Sequence, residues 1–116
     1  MAKICIGNTD DHFRNHGFLL TAKGWTLSPA YDMNPSLNEY QNLLINRNTN
    51  KSDLNELHNS CKEYMLPKQT AMQIINEVLS AIKDWHSSAI RLGIAKREQD
   101  QFTATFERQF GLYKPQ

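Results

Sequence analysis

Apolar residues recur at intervals of three and four throughout the second half of the chain, a period that favours amphipathic helices over strands. The clearest run holds eight apolar positions: Ala71, Ile74, Ile75, Val78, Leu79, Ile82, Trp85 and Ala89. Pro67 fits the first turn of such a helix, and Gly93 is a natural stop. We therefore predict one long helix here, with its apolar face in the protein core.

Two further helices are predicted on either side of this one. The first begins with Ser52 as its N-cap, and the last begins near Ala95 and ends before Gly111. The first carries an apolar stripe of Leu54, Leu57, Cys61 and either Met65 or Tyr64, and the last carries Phe102, Phe106 and Phe110. The predicted core contains Ile74, Ile75, Val78, Leu79, Ile82, Trp85, Phe102 and Phe106, and residues 113–116 are expected to fray.

Residues 16–30 have the composition of a β-hairpin, with Lys23 and Gly24 at the turn. Residues 33–51 contain six Asn and indicate a polar loop, with a short strand predicted at residues 43–45. The expected fold is α+β and mostly α, a small hairpin followed by a bundle of about three helices. The chain is predicted to be one domain, 1–116, with a first part at 1–51 and a helical part at 52–112.

The overall charge excludes some classes of partner. Thirteen basic and twelve acidic residues leave a net charge of +1, which gives no electrostatic footprint for nucleic acid. No segment approaches the roughly 20 apolar residues of a membrane span, and the N-terminus has no signal-peptide core. Cys5 and Cys61 lack metal or redox spacing and are expected to be buried thiols, so the chain is expected to be cytoplasmic.

Three polar residues in the first part are candidates for phosphotransfer chemistry. Asp10 and Asn15 are separated by four residues, and Asp32 follows the hairpin. Protein kinases place a catalytic Asp and a Mg²⁺-binding Asn in the same Asp-x-x-x-x-Asn order, with a second metal-binding Asp further along the chain. A tight loop could direct Asp10 toward a substrate hydroxyl, while the ribbon returns Asp32 to the ion held by Asn15.

Other interpretations of this stretch remain open. Asn, Asp, Thr and Gly also form ordinary turns, and the Asp-x-x-x-x-Asn pattern is weak by itself. Asp11 competes with Asp10 for the role of base, but repulsion between adjacent carboxylates favours a loop cap or an outward-facing residue. His12 belongs with Asp10 as a candidate of the catalytic loop, where bracing the loop is favoured over proton transfer. Arg14 could pair with Asp10 or a phosphate, or be a solvated surface charge.

Both segments resemble a known family. Residues 8–17, Asn-Thr-Asp-Asp-His-Phe-Arg-Asn-His-Gly, and residues 27–32, Leu-Ser-Pro-Ala-Tyr-Asp, resemble the catalytic loop and metal-binding segment of the HipA family. These are bacterial Ser/Thr protein kinases of toxin-antitoxin modules, and the helical remainder is similar to their C-terminal lobe. The resemblance implies that Asp10 is the catalytic base, that Asn15 and Asp32 bind Mg²⁺, and that ATP is the phosphoryl donor.

The resemblance also implies partners for this chain, and it implies that the ATP-binding groups are incomplete. Family members are several times longer, and the Gly-rich loop and the lysine that contact ATP phosphates have no counterpart in this sequence. The chain is therefore expected to be a C-terminal kinase portion that is inactive alone, needing an N-terminal lobe, with a HipB-like antitoxin as a further partner. The alternative is a non-catalytic interaction module that binds an antitoxin or forms a homodimer.

Overall fold

The computed structural model describes residues 1–36 and 38–115, and it is α+β and mostly helical, as the sequence predicts. A short helix, α1 (Ala2–Cys5), precedes an antiparallel hairpin of β1 (Phe18–Thr21) and β2 (Gly24–Leu27). Four helices follow: α2 (Leu54–Asn59), α3 (Lys68–Ile82), α4 (Trp85–Arg91) and α5 (Lys96–Leu112). Leu37, in the predicted polar loop, and Gln116, in the predicted fraying tail, lie outside the described residues.

The predicted hairpin is confirmed, and one of its faces is uncovered. Gly24 adopts a φ of +107° at the turn, a conformation that glycine reaches without steric cost. Phe18 pairs with Leu27 and Leu20 with Trp25, so these four side chains lie on one face of the ribbon. All four are at least 60% exposed. The radius of gyration of 15.2 Å exceeds the roughly 13 Å expected for a compact domain of this length, consistent with a protruding hairpin.

The first predicted helix of the helical part starts and ends differently from the prediction. Asp53, not Ser52, is the N-cap of α2: its extended backbone lets the carboxylate accept a hydrogen bond from the Asn55 N–H at 2.8 Å. The helix ends at Asn59 and is followed by a turn of 3₁₀ helix, Cys61–Tyr64. Met65 then adopts a left-handed conformation and is 91% exposed, so its place in the apolar stripe was wrong.

The predicted central helix is two helices. α3 ends at Ile82, and α4 starts at Trp85 after a break at residues 83–84. The break lets the Trp85 ring stack on Phe106 of α5, with ring centroids 4.7 Å apart. The last predicted helix is confirmed as α5, which includes Gly111 and ends at Leu112.

The core lies nearer the N-terminus than the sequence predicts. It combines residues from both ends of the chain: Ile4, Cys5, Ile45, Leu54, Ile75, Leu79 and Tyr113. Of the predicted core, Ile75 and Leu79 are buried, and Val78 and Ile82 pack against them. Trp85, Phe102 and Phe106 instead line a cleft of about 620 Å³ between α3, α4 and α5. The reason is that α1 and the residues before α2 occupy the position against α3 that the sequence predicts for Trp85, Phe102 and Phe106.

Two smaller expectations were also wrong. Tyr113 is buried beside His58 instead of fraying. Residues 43–45 form no strand: in the part of the loop that the structure describes, the only ladder contact is an isolated bridge between Tyr40 and Lys51.

The two cysteines match their prediction, since Cys5 and Cys61 are both buried and unpaired. Burial raises the pKa of the Cys5 thiol to about 11. Among the described helices, none is long and apolar enough to cross a bilayer.

Candidate functional site

The loop between α1 and β1 is closed by the Asn15 side chain. A single 3₁₀ turn, Phe13–Asn15, ends the loop, and the Asn15 amide nitrogen donates a 2.8 Å hydrogen bond back to the Asp10 carbonyl oxygen. Asn15 is buried at 8% exposure. Because the nitrogen is held by the loop, the amide oxygen is the end left for another ligand; it has no hydrogen-bond partner in residues 1–36 and 38–115.

The Asp10 carboxylate faces solvent. Its side chain is 73% exposed, and Oδ1 accepts a 2.8 Å hydrogen bond from the Asn42 amide. The backbone is held nearby by a bond from the Asn42 N–H to the Thr9 carbonyl. Asp10 is therefore fixed at one oxygen and accessible at the other, as a group that receives a substrate hydroxyl must be.

Asp32 is brought to this loop by a hydrogen bond to its own carbonyl and by one from the side chain of the preceding residue. The Asn8 amide nitrogen donates to the Asp32 carbonyl oxygen at 2.6 Å, and the Tyr31 hydroxyl donates to the Arg14 carbonyl at 2.8 Å. Asp32 has a φ of +55°, a left-handed conformation that costs a residue with a Cβ about 1 kcal/mol. Its exposed carboxylate accepts a hydrogen bond from the Asn34 amide at 2.8 Å.

Asp11 has a separate, structural position. The sequence indicates a loop cap or an outward-facing residue, whereas the structure joins its carboxylate to Lys3 of α1 at 2.9 Å and to His16 at 2.7 Å. Burial opposes ionisation of Asp11, but the hydrogen bonds and charges of Lys3 and His16 outweigh it. The pKa of Asp11 is therefore below its ordinary value.

His12 lies between two of the candidate residues. Its Nε2 atom is 3.9 Å from the Asp10 carboxylate and 3.5 Å from the Asn15 amide nitrogen. Its Nδ1 atom is buried and has no hydrogen-bond partner among the described residues. These contacts suit a residue that braces the loop. Arg14 is exposed and makes no ion pair with Asp10 within the described chain, while its predicted contact with a phosphate stays a prediction.

A cation bound at this loop would have an amide oxygen as well as a carboxylate oxygen among its ligands. In the part of the chain that the structure describes, no three His, Cys, Asp or Glu side chains are grouped so that they could hold a metal ion. Asn15 and Asp32 together offer one amide oxygen and one carboxylate. Mg²⁺ accepts such a set, since it takes few protein ligands and completes its shell with phosphate oxygens and water.

The sequence alone did not identify the residues that hold the site together. Asn8 is 1% exposed and reaches a partner 24 residues away, and Asn42 reaches Asp10 across 32 residues. Tyr31 is part of the family resemblance without a defined role. A polar Asn shortly after the apolar run at residues 4–6 was the available signal for Asn8, because such a residue must find a partner when it is buried.

The chain is an α+β protein in which the candidate residues Asp10, Asn15 and Asp32 lie in the segments directly before and after the hairpin. The sequence matches the family described as HipA-like C-terminal domain over residues 1–86. This match spans well over half of the chain, which therefore belongs to that family. Neither a search of curated proteins nor a search of solved structures found a match.

Proposed function

We propose that residues 8–32 form the base and magnesium part of a HipA-type Ser/Thr protein kinase site, which transfers the γ-phosphoryl group of ATP to a protein hydroxyl. The observation that carries this proposal is the set of hydrogen bonds that joins Asp10, Asn15 and Asp32. The Asn15 amide closes the loop on Asp10, and the Asn8 amide attaches Asp32 to the same loop. Phosphoryl transfer depends mainly on positioned groups and on electrostatic stabilisation of the phosphates, and these three residues would supply the base and the metal ligands.

Each residue has a defined part in this proposal. Asp10 orients the substrate hydroxyl with its exposed carboxylate and accepts its proton. Asn15 and Asp32 hold Mg²⁺ through the amide oxygen and the carboxylate, and His12 braces the loop between them. The bound ion supplies charge neutralisation on the phosphates of ATP. The free Asn15 oxygen and the exposed Asp32 carboxylate fit this use.

The groups that hold the nucleotide come from outside these 116 residues in our proposal. The five glycines stand at positions 7, 17, 24, 93 and 111, so no G-x-G-x-x-G loop is present in the sequence. An N-terminal lobe, in the same polypeptide or another, supplies the phosphate-covering loop and lysine. Without those groups we expect the 116-residue chain to bind Mg²⁺ and ATP weakly and to transfer no phosphate at a kinase rate.

The family membership supports a place in a toxin-antitoxin pair. In this proposal the complete kinase is the toxin, and a HipB-like antitoxin is its partner. Co-purification of the chain with an antitoxin expressed from a neighbouring gene would test the pairing, and separate elution of the two proteins would contradict it.

Calorimetric titration with Mg²⁺ and ATP tests the site itself. Asp32→Ala should abolish the binding heat that the native chain gives, because it removes the one carboxylate assigned to the ion. Asp100→Ala is the matched control, since Asp100 is an exposed carboxylate on α5. Equal binding by the native and Asp32→Ala chains, or no binding by a folded native chain, would contradict the metal assignment.

A second candidate function, a protein-interaction module, is favoured by the uncovered hairpin face. Phe18, Leu20, Trp25 and Leu27 present a continuous apolar surface of the kind that usually contacts a partner. A second copy of the chain is the simplest partner. Light scattering after size exclusion should show a homodimer that Leu20→Thr weakens and Leu19→Thr, on the opposite face, does not. A native chain that stays monomeric at high concentration would contradict this candidate.

A further inference from the structure

Two hydrogen bonds join Asp32 and the residue before it to the loop that contains Asn15. The hydroxyl of the Tyr31 side chain donates to the Arg14 carbonyl at 2.8 Å. The backbone carbonyl of Asp32 itself accepts from the Asn8 amide at 2.6 Å. Asp32 is thereby held to this loop directly through its own carbonyl and indirectly through the side chain of its neighbour.

The conformation of Asp32 benefits from such support. A φ of +55° is uncommon for a residue with a Cβ, although Asp adopts it more readily than most, and it directs the side chain differently from the helical or extended conformations. Asn8 is 1% exposed, so its hydrogen bond is shielded from competition by water. Strain of this kind persists where surrounding groups hold the backbone in place.

The Tyr31 bond also relates the two proposed metal ligands directly. Tyr31 immediately precedes Asp32, and Arg14 immediately precedes Asn15. A single hydroxyl-to-carbonyl bond therefore joins the neighbours of the two ligands and limits how far Asp32 and Asn15 can separate.

We propose that Tyr31 and Asn8 are positioning residues that hold the Asp32 carboxylate beside the Asn15 amide oxygen for a hard divalent cation, an inference that rests on the proposed function. Neither residue contacts the ion. Both act through the backbone of Asp32, as outer partners of metal ligands do when they fix ligand orientation.

Electron paramagnetic resonance with Mn²⁺ alone tests the proposal without requiring catalysis. Mn²⁺ prefers the same oxygen ligands as Mg²⁺ and loses its free-ion signal when bound. Tyr31→Phe removes only the hydroxyl and should weaken Mn²⁺ binding about tenfold. Asn8→Ala should weaken it at least as much.

Tyr64→Phe is the matched control. Its hydroxyl likewise donates to a backbone carbonyl, that of Ile45, which belongs to neither Asn15 nor Asp32 nor their neighbours. This variant should lose a similar amount of thermal stability but bind Mn²⁺ like the native chain. The comparison separates positioning of a ligand from general loosening of the fold, and it remains informative if Asn8→Ala fails to fold.

Four results would overturn the inference. If Asp32→Ala weakens Mn²⁺ binding but Tyr31→Phe does not, the positioning role is wrong and the proposed function stands. Equal weakening by Tyr31→Phe and Tyr64→Phe would reduce the effect to stability. If the native chain binds no Mn²⁺, or Asp32→Ala leaves binding unchanged, the metal site of the proposed function is also overturned.

Discussion

The stability of the fold should depend on only one of the two adjacent carboxylates of the loop. Asp11 is only 22% exposed and makes two short hydrogen bonds, to Lys3 and His16, whereas Asp10 is 73% exposed and is held by Asn42. Asp→Asn preserves the shape of each side chain and removes its charge. We expect Asp11→Asn to destabilise the fold and Asp10→Asn to leave the free energy of unfolding nearly unchanged.

The size of the Asp11 effect follows from its two partners. A hydrogen bond to a charged group contributes about 1.5–3 kcal/mol, and a neutral one about 1 kcal/mol. Weakening two bonds by about 1 kcal/mol each gives a loss of about 2 kcal/mol. In a chain of this length that corresponds to a fall in Tm of about 8 °C. For Asp10→Asn, an exposed position with one bond, the change should stay within about 0.5 kcal/mol.

Urea unfolding followed by circular dichroism at neutral pH measures both variants. A loss for Asp10→Asn as large as that for Asp11→Asn would refute the division between a structural and a solvent-facing carboxylate. A neutral Asp11→Asn would refute the anchoring of the loop to α1.

The Asp11 contribution should also depend on pH in a defined direction. Although burial works against the charge, hydrogen bonds from Lys3 and His16 lower the pKa of Asp11 below its ordinary value of 3.8. The folded chain therefore holds the ionised form more tightly than the unfolded chain. The stabilisation should be fully present above pH 3.8 and should disappear as the pH falls through the lower folded-state pKa. The native chain and Asp11→Asn should then converge in stability at acid pH.

Two further experiments, a substitution in α5 and the labelling of a thiol in α1, test the packing around α2 and α1. Gln109 is buried, accepts from the Leu54 N–H at 3.2 Å and donates to the Ser52 carbonyl at 2.9 Å. Gln109→Leu leaves both groups unpaired and should cost about 3 kcal/mol in urea unfolding, with exposed Gln101→Leu as a near-neutral control. A loss below about 0.5 kcal/mol would contradict the role of Gln109. Because burial raises the pKa of Cys5 to about 11, iodoacetamide at pH 8 should label this thiol only after unfolding. Labelling of the native chain at the rate of a free thiol would contradict its burial.

The elements that follow local rules were predictable from the sequence. The hairpin was confirmed because Gly24 and the β-prone residues around it act within a few positions of one another. The break at residues 83–84 was not predictable, because it contains neither Gly nor Pro and continues the apolar period. We find no local signal that would end α3 at Ile82.

Long-range packing also decided which apolar faces became the core. The spacing of apolar residues identifies the buried face of a helix, but it does not identify the helix or loop that packs against this face. Ile75 belongs to the same core cluster as Ile4, Cys5 and Tyr113, which lie far from it in sequence, while Trp85 faces a cleft instead.

For the candidate site, too, local spacing was predictable from the sequence and long-range contacts were not. The spacing of Asp10, Asn15 and Asp32, read with the family resemblance, selected these residues as candidates, and their roles stay a prediction. Their connection depends on Asn8 and Tyr31, which bond across 24 and 17 residues. Such contacts form only when the hairpin folds back, so no local pattern predicts them.

The position of a bound cation tests the central claim most directly. Adding Mn²⁺ in small amounts to the ¹⁵N-labelled chain broadens NMR signals near the ion. We predict that the Asn15 side-chain amide and the backbone amides beside Asp32 broaden first, and that Asp32→Ala removes this effect. Broadening centred on another carboxylate, such as Glu39, or broadening that Asp32→Ala leaves intact, would contradict the assignment of a magnesium site to this loop.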